Sequence, residues 1–261
     1  MKIAAKTLAA FLMIFTHIIK HRQGSSLSGR TFSPAAFSVL NTENLNILER
    51  VFLMENTKTK IVSVANQKGG VAKTTSAFNI AAILAQREKR VLMIDLDPQS
   101  SLSVSCMKYE YDPDDITITE LMSSIINKKT VDFKTAVHHN EPNNIDYIPA
   151  TITLSGIEVD LCRTRCCEMV LKRVISNYIG CYDYIIIDCP PSLSNLLYNA
   201  LSAADMVLIP VLAQEMALSG IPLLLDSIDD IHEYANPDLE ILGVFATWTE
   251  KNNCLLYTSP S

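Results

Sequence analysis

The chain has 261 residues, a formal net charge of −6, and 48% hydrophobic against 19% charged residues. That length and balance suit one α/β domain with a sizeable core and exclude a disordered or fibrous chain. An acidic protein meets nucleic acid only through a local basic patch; the densest basic segments, Lys128-Lys129 and Arg163 to Arg173, read as solvated helix faces.

The first 57 residues differ from the rest of the chain. Lys2 and Lys6 precede an apolar run from Leu8 to Ile19, like the start of a signal peptide and too short for a comfortable membrane span. Gln23 to Ser38 is rich in Ser, Gly, Arg and Thr and reads as linker. Met54 leads directly into the first strand, so residues 1–57 are expected to lie outside the domain, with 1–53 as non-native upstream sequence.

Lys60 to Asn66 is a β-branched strand. A Gly-bearing turn spans Gln67 to Lys73, and Thr74 to Gln86 shows helical spacing at Ala77, Ile80, Ala81, Leu84 and Ala85. Arg90 to Asp95 is an apolar strand ending in an acid. A helix over Ile118–Ile126, a strand over Ile145–Ile148 and a helix over Glu168–Tyr178 come next. Tyr184 to Asp188 is a second apolar, acid-tipped strand. The pattern closes with a helix over Leu193–Leu201, a strand over Met206–Val211, a helix over Leu218–Tyr234 and a strand over Glu240–Thr247. The domain is expected over 58–250, truncated at its C-terminus, with 251–261 as a non-native-looking tail.

Strands that are apolar throughout are covered on both faces, so this alternation predicts a three-layer α/β fold: a mostly parallel sheet with helices on each side. Ligands of such sheets bind at the carboxyl ends of the strands. The turn after Asn66, Asp95 and Asp188 all fall at such ends.

The turn reads Lys68-Gly-Gly-Val-Ala-Lys-Thr-Thr75. The common phosphate-loop pattern G-x-x-x-x-G-K-[ST] fails, because its glycines would fall at Gln67 and Ala72; the variant K-G-G-x-x-K-[ST] matches. Gly69 and Gly70 allow a tight bend that turns backbone N–H groups toward one anion, and Val71 and Ala72 carry the loop into the helix. The helix start offers free N–H groups and a positive dipole end to phosphates. Lys73 is expected on the β- and γ-phosphates, the Thr74 hydroxyl on Mg²⁺ and Thr75 on the α-phosphate. Asp95 and Asp97 are two apart and so share one side of an extended segment.

Val64 to Thr75, Val91 to Gln99 and Tyr182 to Ser192 together resemble the ParA/Soj DNA-partition ATPases. These sit in the deviant Walker-A group with MinD and the nitrogenase iron protein. Asn199 to Asp205, Val207 to Val211 and Asn236 to Gly243 share the same pattern, so the likeness runs from about Lys58 to Trp248. The resemblance implies an ATPase using ATP and Mg²⁺. Asp97 would position the attacking water, Asp95 support the metal shell and Asp188 hold Mg²⁺. Lys68 would cross a dimer interface to the partner's nucleotide, so that ATP closes a homodimer. It further implies non-specific DNA binding, stimulation by a ParB-like protein, a cytoplasmic, nucleoid-associated location and no membrane partner. Contacts to adenine and to DNA would come from beyond the last strand. Most members carry Gly where Ala72 stands, and the methyl is expected to be tolerated. Two other readings remain: a MinD-like membrane-cycling ATPase, which needs a C-terminal amphipathic helix, and a nucleotide-binding module with little turnover.

Seven cysteines are present, none in C-x-x-C spacing. Cys162 and Cys166 are expected one turn apart on a helix, and with Cys167 read as small apolar residues because no further ligand completes a metal set. Cys189 reads as a small strand-end residue, since no Gly-flanked Cys pair of the iron–sulfur type accompanies it.

Overall fold

Ile186 packs into one hydrophobic cluster, while its neighbours Ile185 and Ile187 pack into another. That period of two, repeated by Met93 between Leu92 and Ile94, is what a strand covered on both faces requires. The computed structural model describes residues 58–212 and 221–247, and the expected extension at 1–57 and tail at 251–261 lie outside them.

Seven strands form one sheet: β1 (Lys60–Val64), β2 (Val91–Asp95), β3 (His138–Asn140), β4 (Ile145–Ile148), β5 (Tyr184–Asp188), β6 (Met206–Leu212) and β7 (Glu240–Thr247). Their order is β3-β4-β2-β5-β1-β6-β7. Every neighbouring pair is parallel except β3 with β4. β2 and β5 are buried along their whole length, as their unbroken apolar runs predict.

Helix α1 (Lys73–Gln86) covers one face, burying Ala77, Ala81 and Leu84 against Val62, Val64 and Met93. The other face carries α2 (Ile118–Asn127), α3 (Leu154–Cys162), α4 (Val170–Ile175), α5 (Asn195–Ala203) and α6 (Ile221–Tyr234). Helix α2 begins on a capping box. The Thr117 hydroxyl accepts from the Thr119 N–H at 3.2 Å, and the Glu120 carboxylate accepts from the Thr117 N–H at 2.9 Å. The Ile118 N–H donates to Pro149 O at 3.0 Å, which ties the helix start to the exit of β4.

The segments that resembled the partition ATPases outside the three motifs hold the fold together. Asp205 accepts the Ile61 N–H at 2.8 Å at the entrance of β1. Buried Asn199 accepts the Leu171 N–H at 2.9 Å and donates to Cys167 O at 2.9 Å, joining α5 to α4. Asn236 donates to Leu201 O at 3.0 Å and Ala204 O at 2.7 Å, closing the end of α5.

The structure departs from the sequence reading at several places. The helix expected over Glu168–Tyr178 is a 3₁₀ turn at Cys167–Met169 leading into α4, which stops at Ile175. Cys162 and Cys166 do not share a helix: α3 ends at Cys162, and Cys166 has a left-handed backbone, φ 52°. Both are exposed. Helix α3, strand β3 and a π-helical turn at Leu102–Cys106 were not anticipated. The helix expected from Leu218 is described from Ile221 onward.

Candidate functional site: a phosphate loop between two acid-tipped strands

Asp188 ends β5, and its Cα is in register with Val64 at the end of β1 and with Asp95 at the end of β2. The ladder continues one residue past the strands: the Cys189 N–H donates to Val64 O at 3.2 Å and the Leu96 N–H to Asp188 O at 3.0 Å. Three segments far apart in sequence therefore meet at one edge of the sheet.

The loop leaves β1 under control of Asn66, a buried residue. Its side-chain amide donates to Pro210 O at 2.6 Å, and its oxygen accepts the Lys68 N–H at 2.9 Å, starting the turn. Gly70 then takes φ 72°, which suits a residue without Cβ. Ala72 takes φ 60° and ψ 35° as the residue before α1; here the missing glycine matters, because left-handed backbone strains an L-residue. Val71 is fully buried, and its carbonyl accepts from the Thr247 hydroxyl at 3.2 Å. The same hydroxyl lies 3.2 Å from Val211 O, so the end of β7 secures the loop.

Lys73, the first residue of α1, is buried and folds its Nζ back to Lys68 O at 3.2 Å. Burial lowers its pKa; Asp188, Cys189 and Asp97 nearby oppose that shift. Lys68 is half-buried, whereas Gly69, Gly70 and Thr75 are exposed. Thr74 is half-buried and close enough to Asp188 to favour its charged form.

The acids have different surroundings. Asp95 is completely buried and both of its oxygens are engaged. Oδ2 accepts the Ser103 N–H at 2.8 Å and the Ser103 hydroxyl at 2.7 Å, and Oδ1 accepts the Asp97 N–H at 3.1 Å. Burial raises its pKa to about 6 against those hydrogen bonds. Asp97 is nearly buried and accepts the Gln99 N–H at 2.9 Å. Asp188 is also completely buried, yet neither carboxylate oxygen has a hydrogen-bond partner. Burial first, and the neighbouring Asp95 second, raise its pKa to about 8. Cys189 is buried beside it, and burial pushes its thiol up.

Two orphaned carboxylate oxygens beside a hydroxyl are hard oxygen donors. They fit a Mg²⁺ ion, which binds through one or two carboxylates together with substrate phosphates. Among the described residues, no group of three His, Cys, Asp or Glu side chains could cage a metal alone. Ser103, Asn66 and Thr247 were missed by the sequence reading. Their signal is tertiary: each reaches a segment that no local pattern links to it.

A β-strand, a glycine-bearing loop with Lys at the helix start, and acid-tipped neighbouring strands define a P-loop nucleoside triphosphatase. Residues 59–241 match the family described as an AAA domain. The chain is 42% identical over 193 residues to the sporulation initiation inhibitor protein Soj of Bacillus subtilis (strain 168), covering 72% of each. It is 40% identical over 188 residues to the chromosome partitioning protein ParA of Myxococcus xanthus, covering 72% of this chain and 64% of that one. Its fold matches that of cobyrinic acid a,c-diamide synthase from Mycobacterium smegmatis, crystallised with bound ATP analog and magnesium. The TM-score is 0.70 at 36% identity over 76% of this chain and 78% of that one. The chain belongs to the ParA/Soj family of P-loop partition ATPases. No helix among the described residues is long and apolar enough to cross a membrane.

Proposed function

We propose that this chain is a Mg-ATP-dependent ATPase of the chromosome or plasmid partitioning type. The carrying observation is Asp188: a fully buried carboxylate without a hydrogen-bond partner, set beside the Lys73 ammonium and in register with Asp95. A buried acid left unpartnered costs stability, and a cation supplies the missing partner.

The loop Gly69-Gly70-Val71-Ala72 presents backbone N–H groups to the phosphates of ATP, and Thr75 reaches the α-phosphate. Lys73, released from Lys68 O, neutralises charge on the β- and γ-phosphates. Thr74 and Asp188 hold Mg²⁺, with Asp95 in its outer support. When bound, Mg²⁺ offsets the negative charge of the transferring phosphoryl group. Asp97, tethered through its N–H to Asp95 and through its carboxylate to the Gln99 N–H, orients the attacking water. Positioning of this kind supplies most of the catalysis in phosphoryl transfer. Lys68 stands at the loop entrance, where it reaches the nucleotide of a second copy and lets ATP close a homodimer. The names of the Bacillus and Myxococcus relatives support the partition reading. In it, the dimer binds DNA without sequence preference on the nucleoid and a ParB-like partner stimulates hydrolysis.

The test is Lys73→Ala, assayed by titration of a fluorescent ATP analogue in the presence of Mg²⁺. Binding is expected to be lost; wild-type affinity in the variant would overturn the assignment.

A further inference from the structure

Ser103 is completely buried, and its hydroxyl is held from both sides. It donates to Asp95 Oδ2 at 2.7 Å and accepts the Ala150 N–H at 3.0 Å. A hydroxyl carries one hydrogen, so the donor from Ala150 leaves that hydrogen to Asp95. The Ser103 N–H joins on the same carboxylate oxygen at 2.8 Å. Ala150 follows β4 and Ser103 lies in the π-helical turn after β2, so one side chain links the exits of two neighbouring strands. The turn is itself anchored. The Met107 N–H closes it onto Leu102 O at 3.0 Å, and Met107 O accepts from the Asn140 amide of β3 at 3.2 Å. Single π-helical turns of this kind recur at functional sites.

The contact passes from Asp95 to Asp97. Asp95 Oδ1 accepts the Asp97 N–H at 3.1 Å. Asp97's other hydrogen bonds stay inside its own turn: its carboxylate accepts the Gln99 N–H at 2.9 Å and its carbonyl accepts the Ser100 N–H at 2.8 Å. Among the described residues, the hydrogen-bonded tether from Asp97 to the sheet therefore runs through Asp95. Satisfying a buried acid is the ordinary task of a buried serine. Here the backbone N–H already occupies Oδ2. The hydroxyl adds a second donor from the same residue, braced by Ala150, and so restrains the turning of the carboxylate that holds Asp97.

We propose that Ser103 is a positioning residue for hydrolysis: through Asp95 it sets the backbone of Asp97 so that the Asp97 carboxylate meets the attacking water. Ser103 itself touches neither water nor nucleotide. The inference rests on the role given above to Asp97 and names the support that role needs. A displacement of about 1 Å can cost on the order of 100-fold in rate. Nucleotide binding has no such dependence on Ser103, because the phosphates are held by the loop and Lys73, which other segments secure.

The experiment follows single-turnover hydrolysis of ATP at saturating Mg²⁺, affinity for a fluorescent ATP analogue, and Tm, all on the whole chain. Ser103→Ala is expected to slow hydrolysis about 10-fold or more with affinity unchanged. Ser103→Thr returns the hydroxyl and is expected to recover most of the rate. In an Asp97→Ala background, Ser103→Ala is expected to slow hydrolysis no further, because groups acting as one unit are not additive. An unchanged rate in Ser103→Ala overturns the proposal. A parallel fall of rate and affinity does so too, as does full additivity with Asp97→Ala. Should the alanine chain not fold, Ser103→Cys keeps the bulk and weakens the donor; it is expected to show the same split in smaller measure, and a wild-type rate in it overturns the proposal. Full turnover in Asp97→Ala alone removes the role of Asp97, a failure distinct from that of Ser103.

Discussion

Ala72 carries a left-handed backbone where glycine would rest without strain. An L-residue in this region is disfavoured by about 1–2 kcal/mol, part of which glycine returns through its freer unfolded chain. Ala72→Gly is accordingly expected to stabilise the protein by about 1 kcal/mol in chemical denaturation; a fall in stability would show that the methyl is better accommodated than its φ suggests. Asp97 makes the opposite kind of prediction. Its carboxylate is held by the Gln99 N–H and takes no part in the fold's longer-range ties. Asp97→Ala is expected to keep ATP affinity and lose turnover about 100-fold or more; retained turnover would remove it from the reaction. At this scale the sequence was most informative. Gly70, Lys73, Asp95 and Asp188 could be placed because strand–turn–helix order fixes which chain end each occupies. What it could not show is that Asp95 is saturated by Ser103 while Asp188 is left without a partner. That contrast depends on a residue eight positions away folding back.

Among the elements, long apolar strands were legible and short or polar ones were not. β2 and β5 declare themselves by five buried residues each. β3, His138-His139-Asn140, is an edge strand made of polar residues, so no pattern of hydrophobicity marks it. α3 carries its apolar residues at Leu154, Ile157 and Leu161, a helical spacing, but Gly156 and two β-branched residues mask it. The Glu168–Tyr178 periodicity is genuine, yet the left-handed Cys166 and the 3₁₀ turn after it delay the helix to Val170. Asn236 shows how such an element is closed. Its amide serves two carbonyls at the end of α5 from a buried position. Asn236→Ala strips both and is expected to cost about 1–3 kcal/mol, seen as a lower Tm with unchanged ATP affinity; an unaltered Tm would mean that water replaces the amide.

Taken whole, the molecule separates its chemistry from its charge. Phosphate loop and acids occupy the carboxyl edge of the sheet, whereas Lys128, Arg163, Arg165 and Arg173 line a cleft on the outside of one helix layer. The two basic segments are more than thirty residues apart, so only the packing of α2, α3 and α4 could bring them together. Lys68 belongs to this scale, because its proposed task needs a second copy. Lys68→Ala is expected to abolish ATP-dependent dimers in light scattering while the monomer still binds nucleotide; dimers that persist would contradict that task.

The hydroxyl of Thr247 reaches Val71 across 176 positions of chain. A ribosome must therefore deliver the chain through β7 before the loop meets its clamp, and until β7 docks the nascent polypeptide holds that loop by the Asn66 turn, the Lys73–Lys68 hydrogen bond and the first coil of α1. The fully clamped loop thus forms only after the seventh strand has emerged.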